Sequence, residues 1–504
     1  MNIINQFISV CEKYPENTHL VDEFNKLTRR ETLKRVYSLA NFLNQSDFEN
    51  SDKIGILLPN CNEFIISFFA TALSRKIIVP LNCLLQPPEL AYVIAHSNLD
   101  TIITSKLFDR LIEAIYQNCP SLKRIIYIDK EEENLLTFKK IFQTYSPEPV
   151  KVKGNLEDDF LLIYTSGTTG KPKGVMLTHK NLSANHLGCI DAFPDIDGRV
   201  CLGILPLFHS FGITVCILLS QLMNIKLVLI NGFGSTKILK LIADEKISFL
   251  PMVPQLFAIL LKSKELQNTD LSSLQYCVSG GGPCPKIYVE AWEKLTGKPL
   301  LNGYGLTEAS PVVSVNRANN NKIGTIGIPF FNSKVEIWDD NGNPVVNGIV
   351  GEIMVKGNNV MKGYYKNEEE TKKTISQDGW LHTGDMGFLD EEGFITITGR
   401  KKEIIISAGE KIYPQEIEDV LLSYPKIIEV AVIGIQDEIR GEVPKAFIVT
   451  HPEQTITKEE ILEYCRQKLA PYKIPRDIEF RPSLPRNPTG KVAKIKLMEE
   501  EKKK

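Results

Sequence analysis

Residues 164–175 read YTSGTTGKPKGV. Glycines beside hydroxyls and lysines mark a backbone that approaches an anion closely, so the stretch reads as a phosphate loop. It is not the loop of the common nucleoside triphosphatases, which needs G-x-x-x-x-G-K followed by Ser or Thr. Here Gly170-Lys171 is followed by Pro172, and Gly167 lies only three residues upstream of Gly170. The hydroxyls of Thr165, Ser166, Thr168 and Thr169, with the exposed N–H groups around Gly167 and Gly170, can wrap phosphate oxygens, and Lys171 or Lys173 can add charge. The competing reading is a plain hairpin tip.

Outward from this loop the chain alternates strand-like and helix-like runs. KIGILLP at 53–59 and KIIVPLN at 76–82 are followed by helical patterns at 63–74 and 89–97, and the rhythm returns over 199–260. Such alternation predicts an α/β fold with helices covering sheets. After residue 322 the pattern changes to short strands punctuated by glycine turns: VEIWDDNGNPV at 335–345, GEIMVKG at 351–357 and DEEGFITITGR at 390–400. This predicts a largely antiparallel subdomain. From EIIISAG at 403–409 onward, a helix over 414–423, strands EVAVIGI and PKAFIVT, and a helix over 458–469 form a compact α+β unit. A boundary near 400–403 divides a large domain, 1–400, from a small one, 401–504.

The bulk properties narrow the function classes. A chain of 504 residues has room for about three domain-sized units, or for one large domain with a smaller one appended. With 43% hydrophobic residues, 24% charged residues and a formal charge of −2, it reads as soluble and globular, without a nucleic-acid-binding surface. The ten cysteines include no C-x-x-C pair, and no histidine cluster has metal-ligand spacing, so they read as reduced core residues of a cytosolic protein. The start, MNIINQFISVCEKYPENTHL, lacks the pattern of a secretory signal. The apolar run EFIISFFATAL is too short to span a bilayer, and VCILLSQLMNIKLVLI is broken by Gln221, Asn224 and Lys226. A cytoplasmic location follows, with peripheral membrane contact and oligomeric state left open.

Six further stretches stand out: LPLFHSFG at 205–212, SGGGPCP at 279–285, NGYGLTEAS at 302–310, DGWLHTGDMG at 378–387, GRKKEIIISAGEKIYPQEIE at 399–418 and LPRNPTGKVAK at 484–494. Each alone is a weak signal. Together with the opening loop, in kind and in order, they resemble the adenylate-forming superfamily of acyl-CoA synthetases, carrier-protein adenylation domains and luciferases. The resemblance runs from about residue 20 to the C-terminus. It implies layered α/β sheets and a β-rich subdomain in the large domain, with a small, mobile C-terminal domain. The implied reaction joins a carboxylate to the α-phosphate of ATP, releases pyrophosphate, and then forms a thioester with CoA.

The resemblance also implies roles residue by residue. Thr165, Ser166, Gly167, Thr168, Thr169, Gly170, Lys171 and Lys173 surround the β- and γ-phosphates. Glu308, with Thr165, holds Mg2+, a cation that prefers oxygen ligands and bridges phosphates. Tyr304 packs on adenine, Gly280, Gly281 and Gly282 form the opposite wall, and Gly305 and Thr307 belong to the same nucleotide-binding stretch. Asp385 and Arg400 grip the ribose hydroxyls, and Lys491 reaches the α-phosphate and the attacking carboxylate. Lys402 falls at the hinge of the small domain. Rotation there withdraws Lys491 and brings in SAGEK at 407–411, where Gly409 flanks the pantetheine thiol and Lys411 meets a CoA phosphate.

Amino-acid-activating relatives place Asp after the Phe of LPLFH, to pair with the substrate amine; here His209 stands there, a candidate catalytic residue. Phe211, Gly212, Gly280, Gly281 and Val312 offer an apolar wall suited to an alkyl chain. The stretches GYGLTEASPVVSVN, DGWLHTGDMGFLDEEGF and IYPQEIEDVL look most like medium- and long-chain fatty-acid CoA ligases. The nearest alternative is an aryl-acid CoA ligase. An acyl-AMP ligase serving a carrier protein is disfavoured, because no apolar insertion precedes the hinge and no carrier domain is attached. A catalytically dead nucleotide-binding regulator is disfavoured because Lys491 and Glu308 are both present, and a hydrolase because no G-x-S-x-G elbow occurs.

Overall fold

Two large sheets form the body of the protein, and each owes its parallel core to the strand–helix alternation of the sequence. The computed structural model describes residues 2–117, 119–165, 171–451, 454, 456–486 and 492–503. Ser166, Gly167, Thr168, Thr169 and Gly170 of the phosphate loop, and Lys491, lie outside the described residues.

In the eight-stranded sheet, Lys53–Leu57, Ile77–Pro80, Thr101–Thr104 and Arg124–Tyr127 pair in parallel, and Asp159–Thr165 continues in parallel beside Ile77–Pro80. Lys53–Leu57 is buried at every position, as a central strand covered on both faces must be. Asp159–Thr165 then folds back on Lys173–Thr178 as an antiparallel hairpin with Thr165 opposite Lys173, and Gly363–Tyr364 adds an edge strand beyond it. In the nine-stranded sheet, Thr18–Val21, Lys226–Leu229, Val200–Gly203, Phe249–Met252, Tyr276–Ser279 and Leu300–Gly305 are parallel, while Val312–Val315 and Ile328–Pro329 close one end antiparallel. Side chains from both sheets share one apolar core, in which Phe7 stacks on Phe69 at 3.8 Å between ring centroids and Phe68 meets Phe160 edge-on.

The glycine-punctuated stretch is, as expected, an antiparallel sheet of Ser333–Trp338, Gly351–Gly357, Leu381–Leu389 and Ile395–Arg400. The smaller C-terminal unit is built on the hairpin of Ile427–Asp437 and Gly441–Thr450, covered by helices Pro414–Leu422 and Lys458–Arg466 around Ile412, Ile417, Val432, Ile448 and Ile461. Helix 458 ends at Arg466, three residues before the expected stop. Among the described residues no helix is long and apolar enough to cross a membrane. All ten cysteines are free thiols, and only Cys83 and Cys284 are partly exposed.

The helix His179–Ala192 buries two histidines, His179 at 7% and His186 at 2% exposure. Desolvation pushes both down to about 4. An unfolded histidine titrates near about 6.5, so between that pH and about 4 the unfolded chain takes up protons that the folded chain refuses. Stability is therefore complete above the unfolded value and falls as pH drops through this window, by up to about 1.4 kcal/mol per pH unit for each histidine. Calorimetry across the window is expected to show this fall, and His186→Gln to make it shallower by about one proton's share.

Candidate active site

Ligands of open α/β sheets gather at the carboxyl ends of parallel strands. His209, the glycines 280–282 and residues 304–308 lie there. Val200–Gly203 leads toward His209, Tyr276–Ser279 into Gly280, Gly281 and Gly282, and Leu300–Gly305 carries Tyr304 and Gly305 before Thr307 and Glu308. The second and third of these strands are neighbours, with Ser279 in register with Asn302. The hairpin strand Lys173–Thr178 of the other sheet packs against the Thr307–Ala309 turn, which brings the phosphate-loop hairpin beside Glu308.

Asp385 is the best-connected of these groups. It lies on Leu381–Leu389, in register with Arg400 on Ile395–Arg400, and its Oδ1 is 3.0 Å from Arg400 Nε. The Tyr304 hydroxyl donates to Oδ2 at 2.6 Å. Burial, and then the charge of Asp385, hold the Tyr304 hydroxyl well above its usual value, so it remains a donor. The two residues expected to grip a ribose are thus partners of each other. Each carboxylate oxygen can accept a second hydrogen bond, so a sugar hydroxyl can still join. Beside them, Gly384 N–H donates to Glu352 Oε1 at 3.1 Å. Burial opposes the charge on Glu352, but Lys401 Nζ at 2.9 Å and the Gly384 amide hold its carboxyl below the usual range.

Glu308 accepts at Oε1 from the hydroxyl of Tyr364, at 2.8 Å. Burial and the Glu308 charge push that hydroxyl far above its usual value. Lys173, expected to add charge at the phosphates, is instead ion-paired with Glu370 and lies 5.2 Å from the centroid of the Tyr364 ring. Lys171 is exposed and sits 5.9 Å from the Tyr92 ring centroid. Tyr364 and Glu370 were not anticipated from sequence. Tyr364 stands in MKGYYKN, where a tyrosine doublet on a short strand is a visible signal, but its partner lies 56 positions away.

His209 caps the turn Ser210–Gly212: its Nδ1 accepts the Phe211 N–H at 3.2 Å, which places the ring proton on Nε2. The next residue, Ser210, shares a hydrogen bond with the Thr307 hydroxyl at 3.1 Å, tying this turn to the Glu308 turn. The Phe211 ring lies 3.0 Å from where a Cβ on Gly280 would stand, so Phe211 and Gly280 form one wall. Gly212 does not line it. A Cβ there would meet the Pro206 carbonyl oxygen at 2.2 Å, so this glycine serves close backbone packing. Gly281 has φ +79°, so any side chain placed there strains the loop as well as filling space.

The residues around Lys402 are pinned to opposite units. Lys401 pairs with Glu352 of the large unit, while Glu403 pairs with Lys494 of the small one at 2.9 Å. Gly409 has φ +86° in the turn between Ile405–Ser407 and Glu410–Ile412, and a Cβ there would meet nothing within 4 Å. Lys411, expected near a CoA phosphate, is here paired with Asp340 at 2.6 Å; Lys401 lies 3.8 Å from the same carboxylate. Asp340, Glu352 and Glu403 are partners that sequence reading missed, because nothing local marks them.

Residues 7–365 match the family described as AMP-binding enzyme, and residues 416–491 match the AMP-binding enzyme C-terminal domain. Over 97% of its length the chain is 37% identical to a long-chain-fatty-acid–CoA ligase of Bacillus subtilis (strain 168), covering 92% of that protein. Over 96% of its length it is 35% identical to a 2-succinylbenzoate–CoA ligase of Bacillus cereus, covering 95% of it. Among solved structures it is similar to the anthranilate CoA ligase AuaEII in complex with anthranoyl-AMP, with 29% identity, 99% and 97% of the two chains covered, and a TM-score of 0.92. ATP-bound and apo MatB from Rhodopseudomonas palustris are each 27% identical, with 99% of this chain and 98% of theirs covered, and give TM-scores of 0.92 and 0.82.

Asp340→Ala removes the carboxylate shared by Lys401 and Lys411. Tryptic cleavage at Lys401 and Lys402 is expected to quicken about two- to fivefold, the range of an exposed ion pair. An unchanged rate, read by gel densitometry, marks the pair as incidental to the domain arrangement.

Proposed function

Because the chain belongs to the AMP-binding enzyme family, we propose that it is an AMP-forming fatty-acid–CoA ligase, converting an aliphatic acid, ATP and CoA to acyl-CoA, AMP and pyrophosphate. The observation that carries this reading is the convergence of Glu308, the Tyr304–Asp385–Arg400 group and the Thr165–Lys173 hairpin where three sheets meet. The aliphatic substrate is supported by likeness over nearly the full length to a long-chain-fatty-acid–CoA ligase. It is also supported by the uncharged wall of Phe211 and Gly280, and by His209 where amine-binding relatives carry Asp.

Two anions must meet, so the placement of positive charge governs the chemistry. In this reading the triphosphate lies against the hairpin loop, with Lys171 adding charge. Asp385 and Arg400 orient the ribose, and Tyr304 flanks the adenine. Lys491 stands between the substrate carboxylate and the α-phosphate. A carboxylate oxygen attacks phosphorus, the bond to pyrophosphate breaks, and acyl-AMP remains. The CoA sulfur then attacks the acyl carbonyl, and the bond to AMP breaks. Glu308 and Thr165 are the residues that would hold Mg2+. One oriented carboxylate suits a cation that keeps several waters and arrives with phosphates, and among the described residues no group of three or more His, Cys, Asp or Glu forms a metal cage. When bound, the cation supplies charge neutralisation at the phosphates.

The domain arrangement is assigned to the first half-reaction. The higher TM-score against ATP-bound than against apo MatB supports this, as does the open space around Gly409. Rotation about Lys402 then exchanges Lys491 for the Gly409 turn, so that one nucleotide site serves both steps. An aryl acid is the second reading, favoured by the likeness to a 2-succinylbenzoate–CoA ligase and to AuaEII.

Pyrophosphate release and thioester formation, measured over C6 to C16 acids beside benzoate and cinnamate, separate the two substrates. The aliphatic reading expects kcat/KM to rise along the fatty series by up to about fourfold per CH2, equivalent to ~0.8 kcal/mol, until the site ends. A preference for aromatic acids with a flat fatty series reverses it. Lys491→Ala is expected to slow adenylation about a hundredfold or more while sparing thioester formation from supplied acyl-AMP. Equal loss in both steps contradicts the exchange of faces. Gly409→Ala and Gly409→Leu share the cost of the positive φ, so a further loss of CoA transfer in the leucine variant alone reports the thiol passage.

A further inference from the structure

We infer that Tyr364 is a positioning residue for Glu308, and that the segment 361–365 sets the spacing between this carboxylate and the phosphate-loop hairpin. The inference rests on the reading in which Glu308 serves the metal-bound triphosphate. Tyr364 is 7% exposed, and its hydroxyl donates to Glu308 Oε1 at 2.8 Å. A glutamate on a turn has several rotamers of similar energy, and one fixed hydrogen bond to one oxygen selects among them. The other oxygen is then aimed by the first.

The backbone around Tyr364 makes this more than a single contact. Met361 N–H donates to the carbonyl of Glu308 itself at 2.8 Å. Lys362 N–H donates to Met176 O at 3.0 Å and Tyr365 N–H to Gly174 O at 2.7 Å, both on the strand that leads out of the phosphate loop. The same short segment therefore grips the Glu308 turn at one end and the loop hairpin at the other. Tyr364 N–H is itself held by the Thr371 hydroxyl at 2.9 Å. Behind the turn, the Ser310 hydroxyl donates to Asn359 O at 2.7 Å and Asn359 Nδ2 donates to Ala309 O at 3.2 Å, so the turn cannot shift away from the segment without breaking buried hydrogen bonds.

Lys173 completes the arrangement. Its ammonium lies against the Tyr364 ring, and its charge is met by Glu370, on the helix Glu368–Thr374 that follows the segment. In this arrangement Lys173 steadies the tyrosine that steadies Glu308, which gives a cation of the opening motif a task away from the phosphates. A cation over an aromatic face in a partly buried site is a modest attraction, suited to holding a ring in place.

Tyr364→Phe keeps the ring, its burial and the Lys173 contact, and deletes only the hydroxyl. The readouts are thermal unfolding, ATP binding by calorimetry in EDTA and in Mg2+, and the Mg2+ concentration for half-maximal ATP binding. The expected result is a folded protein with unchanged ATP binding in EDTA, about tenfold weaker binding in Mg2+, and an Mg2+ midpoint raised about tenfold, the scale of a hydrogen bond to a charged group. A wild-type Mg2+ midpoint, or equal losses with and without metal, overturns the positioning role. Glu308→Gln separates this from the underlying reading. If that variant also keeps metal-dependent ATP binding, the placement of Glu308 fails; if it loses the dependence while Tyr364→Phe keeps it, the positioning role alone fails. Should Tyr364→Phe not fold, Lys173→Met supplies the measurement, with an Mg2+ midpoint raised about two- to fivefold and metal-free binding unchanged. Loss of metal-free binding there means that Lys173 meets a phosphate directly and overturns its part in the inference.

Discussion

A carboxylate that is only 5% exposed cannot stay charged without partners, and Asp385 draws its partners from separate parts of the chain. Tyr304 comes from the nine-stranded sheet and Arg400 from across an antiparallel register. Next to it, the Gly384 amide is held by Glu352, which also takes Lys401. The line of charges then passes through Asp340 to Lys411 in the small unit. Tyr304, Asp385 and Arg400 and the junction of the two units are therefore held by one connected set of polar contacts. Connected polar sets of this kind specify one arrangement because any member left alone is costly.

The alternation that predicts the α/β body is a local property, and it appears in the structure nearly residue for residue; the glycine-punctuated strands of 333–400 behave likewise. What sequence could not supply is partnership across distance. Asp385 and Arg400 were visible as motif residues, yet that they bind each other follows from strand register alone. Lys171 and Lys173 look interchangeable in GKPKG, and only the fold shows that the second turns toward Glu370 and Tyr364. Gly212 and Gly281 read as space for a substrate. For Gly212 the governing demand is the approach of the Pro206 carbonyl, and for Gly281 it is a backbone conformation that side chains resist.

The junction near Lys402 is marked by charges that tie it to both units. Its neighbour on one side is tied to the large unit and its neighbour on the other to the small unit, which is the arrangement the proposed rotation about Lys402 calls for. Asp340 adds a tether across the same point through an exposed ion pair, which is weak enough to exchange. A joint of this design favours one arrangement without locking it. That suits the proposed reading, in which one site serves two chemical steps.

The ten thiols have a consequence of their own. The thiolate is the reacting form of cysteine, and burial raises Cys11, Cys189 and Cys277 to about 12. Near neutral pH such groups are ionised far more rarely than a solvated cysteine. These three buried thiols are therefore poor targets for alkylating reagents until the chain opens, so the rate of their modification is a clock for unfolding. Cys83 and Cys284 are the two partly exposed thiols, and Cys284, which burial still raises to about 11, stands two residues beyond Gly282. A reagent that captures it before the buried thiols reports on the loop after Tyr276–Ser279 rather than on the fold, and in the proposed reading a bound nucleotide slows the clock at this one position.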